Sequence, residues 1–437
     1  MSAIPTTSTA VPVSPAASIA VIGGLFFVIG FFTWINGPLI AFVRLAFDVN
    51  EVYAFLVLMV FYLSYFFLAL PASWLLKRTG MKKGLALSLM VMALGAAGFG
   101  EFSTQRWFAG ALASLFVIGG GLALLQTAVN PYFSILGPID TAARRIALMG
   151  ICNKMAGILA PILLGAVVMQ GIGDLATQIA AADAVAKAQL LDDFAARIHA
   201  PYMAMAGVLV LVALGILWSP LPDLRAEDVN ATPIPAPGVR ERDSLLRFPH
   251  VWLGALCIFV YVGVEVMAGD AIGTYGNGFD LPLDRTKFFT SFTLTAMLAG
   301  YLVGLVAIPR LLSQERYLLY SAALGVLLAV GAYFTRGYVS VGFVAALGFA
   351  NAMMWPAIFP LAIRGLGRFT EQGSALLIMG IAGGAIVPQL FAVLKQHYDF
   401  QAVFLCLTVP CYLYILYYAA RGHRVGIAAT APQRTEA

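Results

Sequence analysis

Long apolar runs separated by short polar turns fill the sequence from residue 19 to residue 420. A helix needs about 20 mainly apolar residues to cross the hydrocarbon core of a bilayer. Twelve runs come close to this length: 19–45, 53–76, 83–100, 107–135, 146–170, 201–219, 248–276, 288–309, 317–334, 338–362, 374–394 and 400–420. The pattern predicts an all-α membrane protein with twelve transmembrane helices.

Composition supports this prediction. Hydrophobic residues make up 61% of the 437 positions and charged residues 11%, whereas soluble domains carry roughly one quarter charged residues. We therefore expect the lipid bilayer to be the main partner of the chain. The net charge of +5 is explained by the topology described below, so no nucleic-acid partner is expected.

A polar stretch rich in proline divides six predicted helices from six others. The expected organisation is an N-terminal tail (1–18), a six-helix bundle (19–219), a cytoplasmic linker (220–247), a second six-helix bundle (248–420) and a C-terminal tail (421–437). The apolar run after the tail is too long for a signal-peptide core, so no cleaved signal is expected. The loop 171–200 is predicted to form a short amphipathic helix.

The distribution of Lys and Arg predicts the orientation, because basic residues resist translocation across the membrane. If both termini lie on one side, that side carries seventeen of the 26 basic residues, the other side carries eight, and one lies inside a span. Both termini are therefore predicted to be cytoplasmic.

Three charged residues cannot be placed in a loop: Lys154, Glu265 and Asp270. An ionisable group at bilayer depth costs several kcal/mol, on the order of 2.5 to 3.5 on insertion scales, and usually marks a functional site. A desolvated carboxylate takes up a proton more readily, and with Asn, Thr and backbone oxygens it could equally bind Na⁺. The three residues are therefore candidates for ion coupling.

Their geometry leaves alternatives open. Glu265 and Asp270 are five residues apart, so on a regular helix they diverge by roughly 140° and share a face only if Gly269 permits a break. Lys154 could neutralise either acid, or form a purely structural salt bridge. Asp270 lies nearer the outer end of its span and could instead be a solvated vestibule residue.

Amide side chains within the spans are candidates for binding a neutral polyol, because they both donate and accept hydrogen bonds. They are Asn36, Gln126, Asn130, Asn153 and Asn351, and two tryptophans that could stack on a sugar, Trp34 and Trp355, lie close to them in sequence. The alternative for the amides is hydrogen bonding between helices. For Trp34 the alternative is the aromatic belt of the membrane interface.

Helix-breaking residues occur in the first, fourth, seventh and tenth spans, at Asn36-Gly37-Pro38, Asn130-Pro131, Gly269 and Trp355-Pro356. Their equivalent positions in the two halves favour gating, with Pro131 and Pro356 as gating candidates, although packing kinks are the alternative. Transporters built from parallel repeats show such correspondences. A basic turn after the second span, with Lys77, Arg78 and Lys82, is a candidate cytoplasmic gate.

Residues 31–39 (FFTWINGPL) and 126–131 (QTAVNP) resemble the fucose-proton symporter family within the major facilitator superfamily. Residues 261–274 (YVGVEVMAGDAIGT), 351–356 (NAMMWP) and 373–384 (GSALLIMGIAGG) are similar to its N-acetylglucosamine or glucose/galactose permease branch. The resemblance implies two six-helix bundles in a bacterial-type inner membrane. It also implies uptake of a glucose-type hexose or N-acetylglucosamine with H⁺ or Na⁺, by a monomer without metal or organic cofactor.

Two positions depart from the family pattern. Fucose transporters carry an Asp in the first helix and a Glu in the fourth, and these places are Gly37 and Gln126 in this chain. By resemblance, Gln126 keeps a sugar contact and Asn153 matches a family amide. Ion coupling is then expected to move to Glu265 or Asp270.

A drug or metabolite exporter of the same superfamily is the alternative function, which the abundant aromatic residues would suit. The amides on the predicted cavity helices and the resemblance oppose it. The sequence shows no nucleophile set or metal-ligand spacing that would indicate an enzyme.

Overall fold

The computed structural model describes residues 15–135, 142–219, 221, 244–308 and 310–426. In these ranges, twelve helical segments are long and apolar enough to cross a membrane. Each overlaps one predicted run, so the prediction of a twelve-helix membrane protein is confirmed. Residues 1–14 and 427–437 of the predicted tails, and residues 220 and 222–243 of the predicted linker, lie outside the described residues.

The N-terminal half contains six spans. Their helices are Pro15–Trp34 with Asn36–Ala46, Glu51–Ala54 with Leu56–Thr79, Met81–Thr104, Phe108–Ile135, Ala142–Val167 and His199–Trp218. The loop predicted to hold one amphipathic helix contains two, Ile172–Ala181 and Ala184–Ala196. Asp183 starts the second of these helices, because its carboxylate accepts the Ala186 N–H at 2.8 Å and acts as an N-cap.

The C-terminal half begins after a short 3₁₀ turn, Leu245–Arg247. Its six spans contain the helices Pro249–Gly269 with Ile272–Asn277, Leu283–Thr286 with Phe289–Ala307, Gln314–Phe334, Gly337–Asn351 with Met354–Ile363, Thr370–Met379 with Gly383–Leu394, and Phe400–Ala420. The fifth span packs along the eighth, and the second along the eleventh.

The predicted breaks are present in three of the four spans. The first span breaks at Ile35, the seventh after Gly269, and the tenth between Asn351 and Met354, just before Pro356. The predicted break at Asn130-Pro131 is wrong, since the fourth helix runs without interruption to Ile135. A proline inside a membrane helix leaves only a few backbone groups without their helical hydrogen bonds, and neighbouring groups can replace those bonds.

Hydrogen bonds and one ion pair join the halves at the end of the bundle that the predicted orientation places outside, called here the outer end. Lys395 pairs with Glu51 at 2.5 Å. Lys287 donates to the Met169 carbonyl at 2.8 Å, and the Asp284 carboxylate accepts the Gly173 N–H at 3.1 Å. These contacts hold the outer ends of the two halves together.

Candidate functional site

The break in the seventh span decides where its two acidic residues lie. The helix ends at Gly269, Asp270 follows, and a new helix begins at Ile272. A regular helix would separate the two carboxylates by roughly 140°, but with the break both face the protein interior. Glu265 is 9% exposed and Asp270 is 1% exposed, so the alternative of a solvated vestibule residue is wrong for Asp270.

Glu265 forms a buried ion pair with Lys154 of the fifth span. The Lys154 Nζ and Glu265 Oε1 atoms are 3.1 Å apart, and Lys154 is 5% exposed. The Tyr261 side chain, one turn earlier on the seventh span, interacts with the same carboxylate. Because the fifth and seventh spans belong to different halves, this pair links the two bundles near their centre.

Trp34 packs beside this pair at the end of the first helix. Its indole Nε1 donates to Asn153 Oδ1 at 3.2 Å, and Lys154 Nζ lies 4.3 Å from the centroid of its ring. A Cβ atom at Gly157 would lie 2.6 Å from the Trp34 ring, and a Cβ at Gly269 would collide with it. Trp34 is 2% exposed, so the interface-belt interpretation is wrong, and the ring instead connects the first, fifth and seventh spans.

Asp270 has one satisfied and one unsatisfied carboxylate oxygen. Oδ2 accepts a hydrogen bond from the Tyr62 hydroxyl of the second span at 3.1 Å. Oδ1 is buried and receives no hydrogen bond from any side chain of the described residues, although the backbone N–H of Gly37 interacts with this carboxylate. An unsatisfied buried acceptor is costly, so this oxygen is a site where a proton or another cation would be stabilised.

The charges of this cluster do not balance. Lys154 supplies one positive charge and already pairs with Glu265, while Asp270 lies beside the same two residues without a cation of its own. Buried charges are expensive unless they are paired. Counting only these three groups, one negative charge is left over, and one monovalent cation would compensate it.

Gln126 extends the cluster into the fourth span. Its Nε2 donates to the Tyr65 hydroxyl at 3.0 Å, and Tyr65 also interacts with Thr33 of the first span. This arrangement leaves the Gln126 carbonyl oxygen available to accept from a ligand hydroxyl. Asn130 and Pro131 belong to the described helix, but their side chains lie outside the described residues.

Asn36 and Asn351 mainly make contacts within the protein. The Asn36 Nδ2 donates to the Thr33 carbonyl at 3.0 Å and so satisfies backbone freed by the break in the first span. The Asn351 Oδ1 accepts from Tyr412 of the twelfth span at 2.9 Å. Both amides are fully buried, and their bonds favour a role in holding helices. Asn36 Oδ1 and Asn351 Nδ2 have no partner among the described residues, so contact of these amides with a sugar stays a prediction.

Trp355 and Pro356 lie at the start of the second helix of the tenth span. The Trp355 ring stacks on Phe359 with 5.7 Å between centroids. The Pro356 carbonyl accepts from the Gln314 side chain at 2.9 Å. These contacts are to the ninth and tenth spans of the C-terminal half, so the structure does not bring Trp355 to the Lys154–Glu265 pair.

The basic turn after the second span packs on neighbouring helix ends. Arg78 lies over the Trp74 ring at 3.8 Å from its centroid, and Lys82 donates to the Ser219 carbonyl at 2.7 Å. A cation there complements the negative end of the sixth helix. Lys77 lies in the last turn of the second span. The gating role of these residues stays a prediction.

The sequence-based reasoning missed two tyrosines, Tyr62 and Tyr65, which hold Asp270 and Gln126. They are three residues apart in the middle of the second span and therefore face the same side. Tyrosine is usual at membrane interfaces but not at mid-depth. That position was the signal that could have identified them.

Comparison with known proteins gives a consistent result. The model of the Major Facilitator Superfamily matches residues 22–388. A glucose/galactose transporter of Brucella abortus is 33% identical over 405 residues, which cover 92% of each chain. The L-fucose-proton symporter of Escherichia coli K12 is 27% identical over 371 residues, covering 82% of this chain and 83% of the relative.

Among solved structures, a Major Facilitator Superfamily transporter, FucP, in the outward conformation shares the fold. It superposes with a TM-score of 0.73 at 24% identity, over 93% of this chain and 98% of the other. The predicted fold class, two six-helix bundles of the facilitator type, is therefore confirmed.

Proposed function

Because the chain belongs to the major facilitator superfamily, we propose that it takes up a monosaccharide together with a monovalent cation by alternating access. The observation that carries this proposal is the buried Asp270 oxygen without a partner, beside an ion pair that links the two halves. The relatives are named as transporters of glucose, galactose or L-fucose. Transport rather than catalysis is accordingly the proposed activity.

The sugar is proposed to be a glucose-type hexose. The name of the Brucella relative supports glucose or galactose, and N-acetylglucosamine is the second candidate. Hydroxyl groups of the sugar would be bound by Gln126 of the fourth span and Asn153 of the fifth, whose hydrogen-bond partners lie in the second and first spans respectively. Amides of this kind can donate and accept simultaneously.

The cation is proposed to bind at Asp270 rather than at Glu265. Lys154 already neutralises Glu265 at 3.1 Å, whereas Asp270 Oδ1 has no partner among the described residues. A proton is supported by the name of the L-fucose relative, a proton symporter, and Na⁺ is the competing ion. Cation binding at Asp270 removes the unbalanced buried charge, which lowers the cost of closing the site between the halves.

Orientation and assembly complete the proposal. We place the protein in a bacterial inner membrane with both termini in the cytoplasm, as the basic residues predict, and we propose that the monomer is the transporting unit. A domain boundary between 219 and 248 is supported by the packing within each half, where the third span packs along the fourth and sixth, and the ninth along the twelfth.

Uptake by proteoliposomes tests the proposal. Labelled glucose, galactose, N-acetylglucosamine and L-fucose are offered with a pH gradient or a Na⁺ gradient imposed one at a time. Accumulation of at least one hexose above its external concentration, with one gradient, is expected. Absence of uptake for every sugar, with export of lipophilic cations, would instead support the exporter alternative.

Replacing Gln126 with Ala is expected to weaken sugar binding by about 1 to 3 kcal/mol, because a buried hydrogen-bond partner is lost. The measurement is the sugar dissociation constant of the purified protein. Gln105→Ala is the matched control, since Gln105 is exposed and bonds only to Glu101 in the described structure. Equal affinities of the two variants would return Gln126 to a purely structural role.

A further inference from the structure

A cavity of about 330 Å³ opens at the outer end of the bundle, between the first span and the seventh and eighth spans. Its polar lining comprises hydroxyl, amide and charged side chains, among them Thr274, Asn277, Thr286, Thr290, Arg44 and Lys287. Gln126 and Asn153 do not line it. The cavity is therefore distinct from the proposed sugar site.

Asp270 lies just behind the inner wall of the cavity. Gly37 and Thr290 both line the cavity, and Gly37 lies directly beside Asp270. A Cβ atom at Gly37 would collide with the Thr290 hydroxyl oxygen and would lie 3.0 Å from Asp270 Oδ1. The Thr290 hydroxyl and the unpartnered carboxylate oxygen thus flank the same point, which stays open only because residue 37 has no side chain.

Most charged groups around this point already have a partner in the described structure. Asp270 is faced by Tyr62 of the second span, by Glu265 of its own span and by Lys154 of the fifth. On the cavity side, Lys287 pairs with Asp284, Glu51 with Lys395, and Asp48 with Lys187. Arg44 also lines the cavity and forms no ion pair within the described part of the chain. Asp270 Oδ1 at the inner end of the cavity and Asn277 Oδ1 in its lining both lack a side-chain donor among the described residues. Of the two, the Asp270 carboxylate is the group that can take up a proton.

The opening is suited to a proton and not to a sugar. The bonds of Lys395 to Glu51 and of Lys287 to the Met169 carbonyl tie the halves together at this end, and Asp270 itself is 1% exposed. A proton needs only hydrogen-bonded oxygens that a single water can bridge. It could pass while the outer end remains closed to a hexose.

We propose that Asp270 exchanges its proton with the outer side through the gap at Gly37, with the Thr290 hydroxyl as relay. A hydronium ion formed in the cavity gives a proton to the Thr290 oxygen and becomes water, while the hydroxyl proton of Thr290 passes through one bridging water to Asp270 Oδ1. Thr290 and the bridging water each gain one O–H bond and lose one, so the net change is the movement of one proton from the hydronium ion to the carboxylate. The proposal rests on the proposed function, since it takes Asp270 as the coupling carboxylate.

The test compares Thr290→Val, which keeps the shape but removes the hydroxyl, with Thr290→Ser, which keeps the hydroxyl. Thr290→Val should slow uptake driven by a pH gradient by about tenfold or more, because positioned proton transfer is lost and only water can replace it. Thr290→Ser should retain wild-type uptake. Thr295→Val is the matched control, since Thr295 is on the exposed side of the same span and bonds only to its own helix in the described structure.

A second variant and a second readout separate relay from packing. Gly37→Ala, which fills the gap, should reproduce the Thr290→Val defect. In both variants, exchange of labelled sugar between equal concentrations of sugar on the two sides of the membrane should be unchanged. The rate of uptake should no longer depend on external pH, but it should still depend on internal pH.

The outcomes distinguish the two proposals. Wild-type rates in both Thr290→Val and Gly37→Ala, or accumulation driven by Na⁺ alone, would overturn the relay and leave sugar symport standing. Failure of the unmodified protein to accumulate any sugar would overturn the proposed function itself.

Discussion

Asp270→Asn is expected to abolish uphill accumulation of sugar while sparing exchange of sugar across the membrane. Asn has nearly the same shape and can still accept the bond that Tyr62 donates to Oδ2 at 3.1 Å, but it carries no charge for a cation to neutralise. The variant therefore behaves as a carrier that no longer needs its cation. In proteoliposomes with an imposed gradient, the internal sugar concentration should stop rising once it equals the external one.

Asp280→Asn is the control for this prediction. Asp280 is exposed at the same end of the seventh span and has a positive φ of 57°, a conformation that Asn tolerates well. It should accumulate sugar like the unmodified protein. Full accumulation by Asp270→Asn, with Glu265→Gln inactive, would move the coupling role to Glu265.

Lys154→Met is expected to destabilise the protein by about 3 to 5 kcal/mol, because Glu265 would be left as an uncompensated buried charge. The double variant Lys154→Met, Glu265→Gln should recover most of that stability, since it removes both charges with little change in volume. The measurement is the free energy of unfolding in detergent for the unmodified protein, both single variants and the double variant, which together form a double-mutant cycle.

Lys187→Met provides the comparison for an exposed pair. Lys187 and Asp48 lie 2.7 Å apart with 36% and 53% of their side chains exposed, and such pairs contribute about 0 to 1 kcal/mol. If Lys154→Met lowers the free energy of unfolding no more than Lys187→Met does, the Lys154–Glu265 pair is hydrated and does not join the halves.

The sequence was sufficient for the fold because the bilayer imposes a length on every span. Apolar runs of about 20 residues can be recognised without knowledge of tertiary contacts. The positions of breaks were harder to predict. Gly269 and Asn36 lie at real breaks, whereas the helix continues through Pro131, because whether a proline interrupts a helix depends on the neighbours that satisfy its backbone.

The charged members of the site could also be predicted, since Lys154, Glu265 and Asp270 are too costly at bilayer depth to be incidental. Their pairing could not. Which acid Lys154 meets depends on the direction of the chain after Gly269, and that direction is set by packing of Gly269 against Trp34. Tyr62 was missed because a tyrosine hydroxyl has no evident function until its partner is placed beside it.

The roles of the amides could not be predicted from the sequence either. Gln126 and Asn351 had equal claims as sugar ligands in the sequence, but Asn351 is fully buried and bonded to Tyr412. Gln126 is only partly buried and keeps an available oxygen. Residue type and depth alone do not distinguish a ligand contact from a bond between helices, because both use the same chemistry.

The most direct test records cation movement when sugar alone is supplied. Proteoliposomes without any imposed ion gradient receive external hexose, and internal pH and Na⁺ are followed as the sugar enters. If a cation must bind Asp270 for the loaded carrier to reorient, sugar entry will carry protons or Na⁺ inward with the unmodified protein and will carry neither with Asp270→Asn. Cation entry in the same ratio to sugar with both proteins would contradict the assignment of Asp270 as the coupling site.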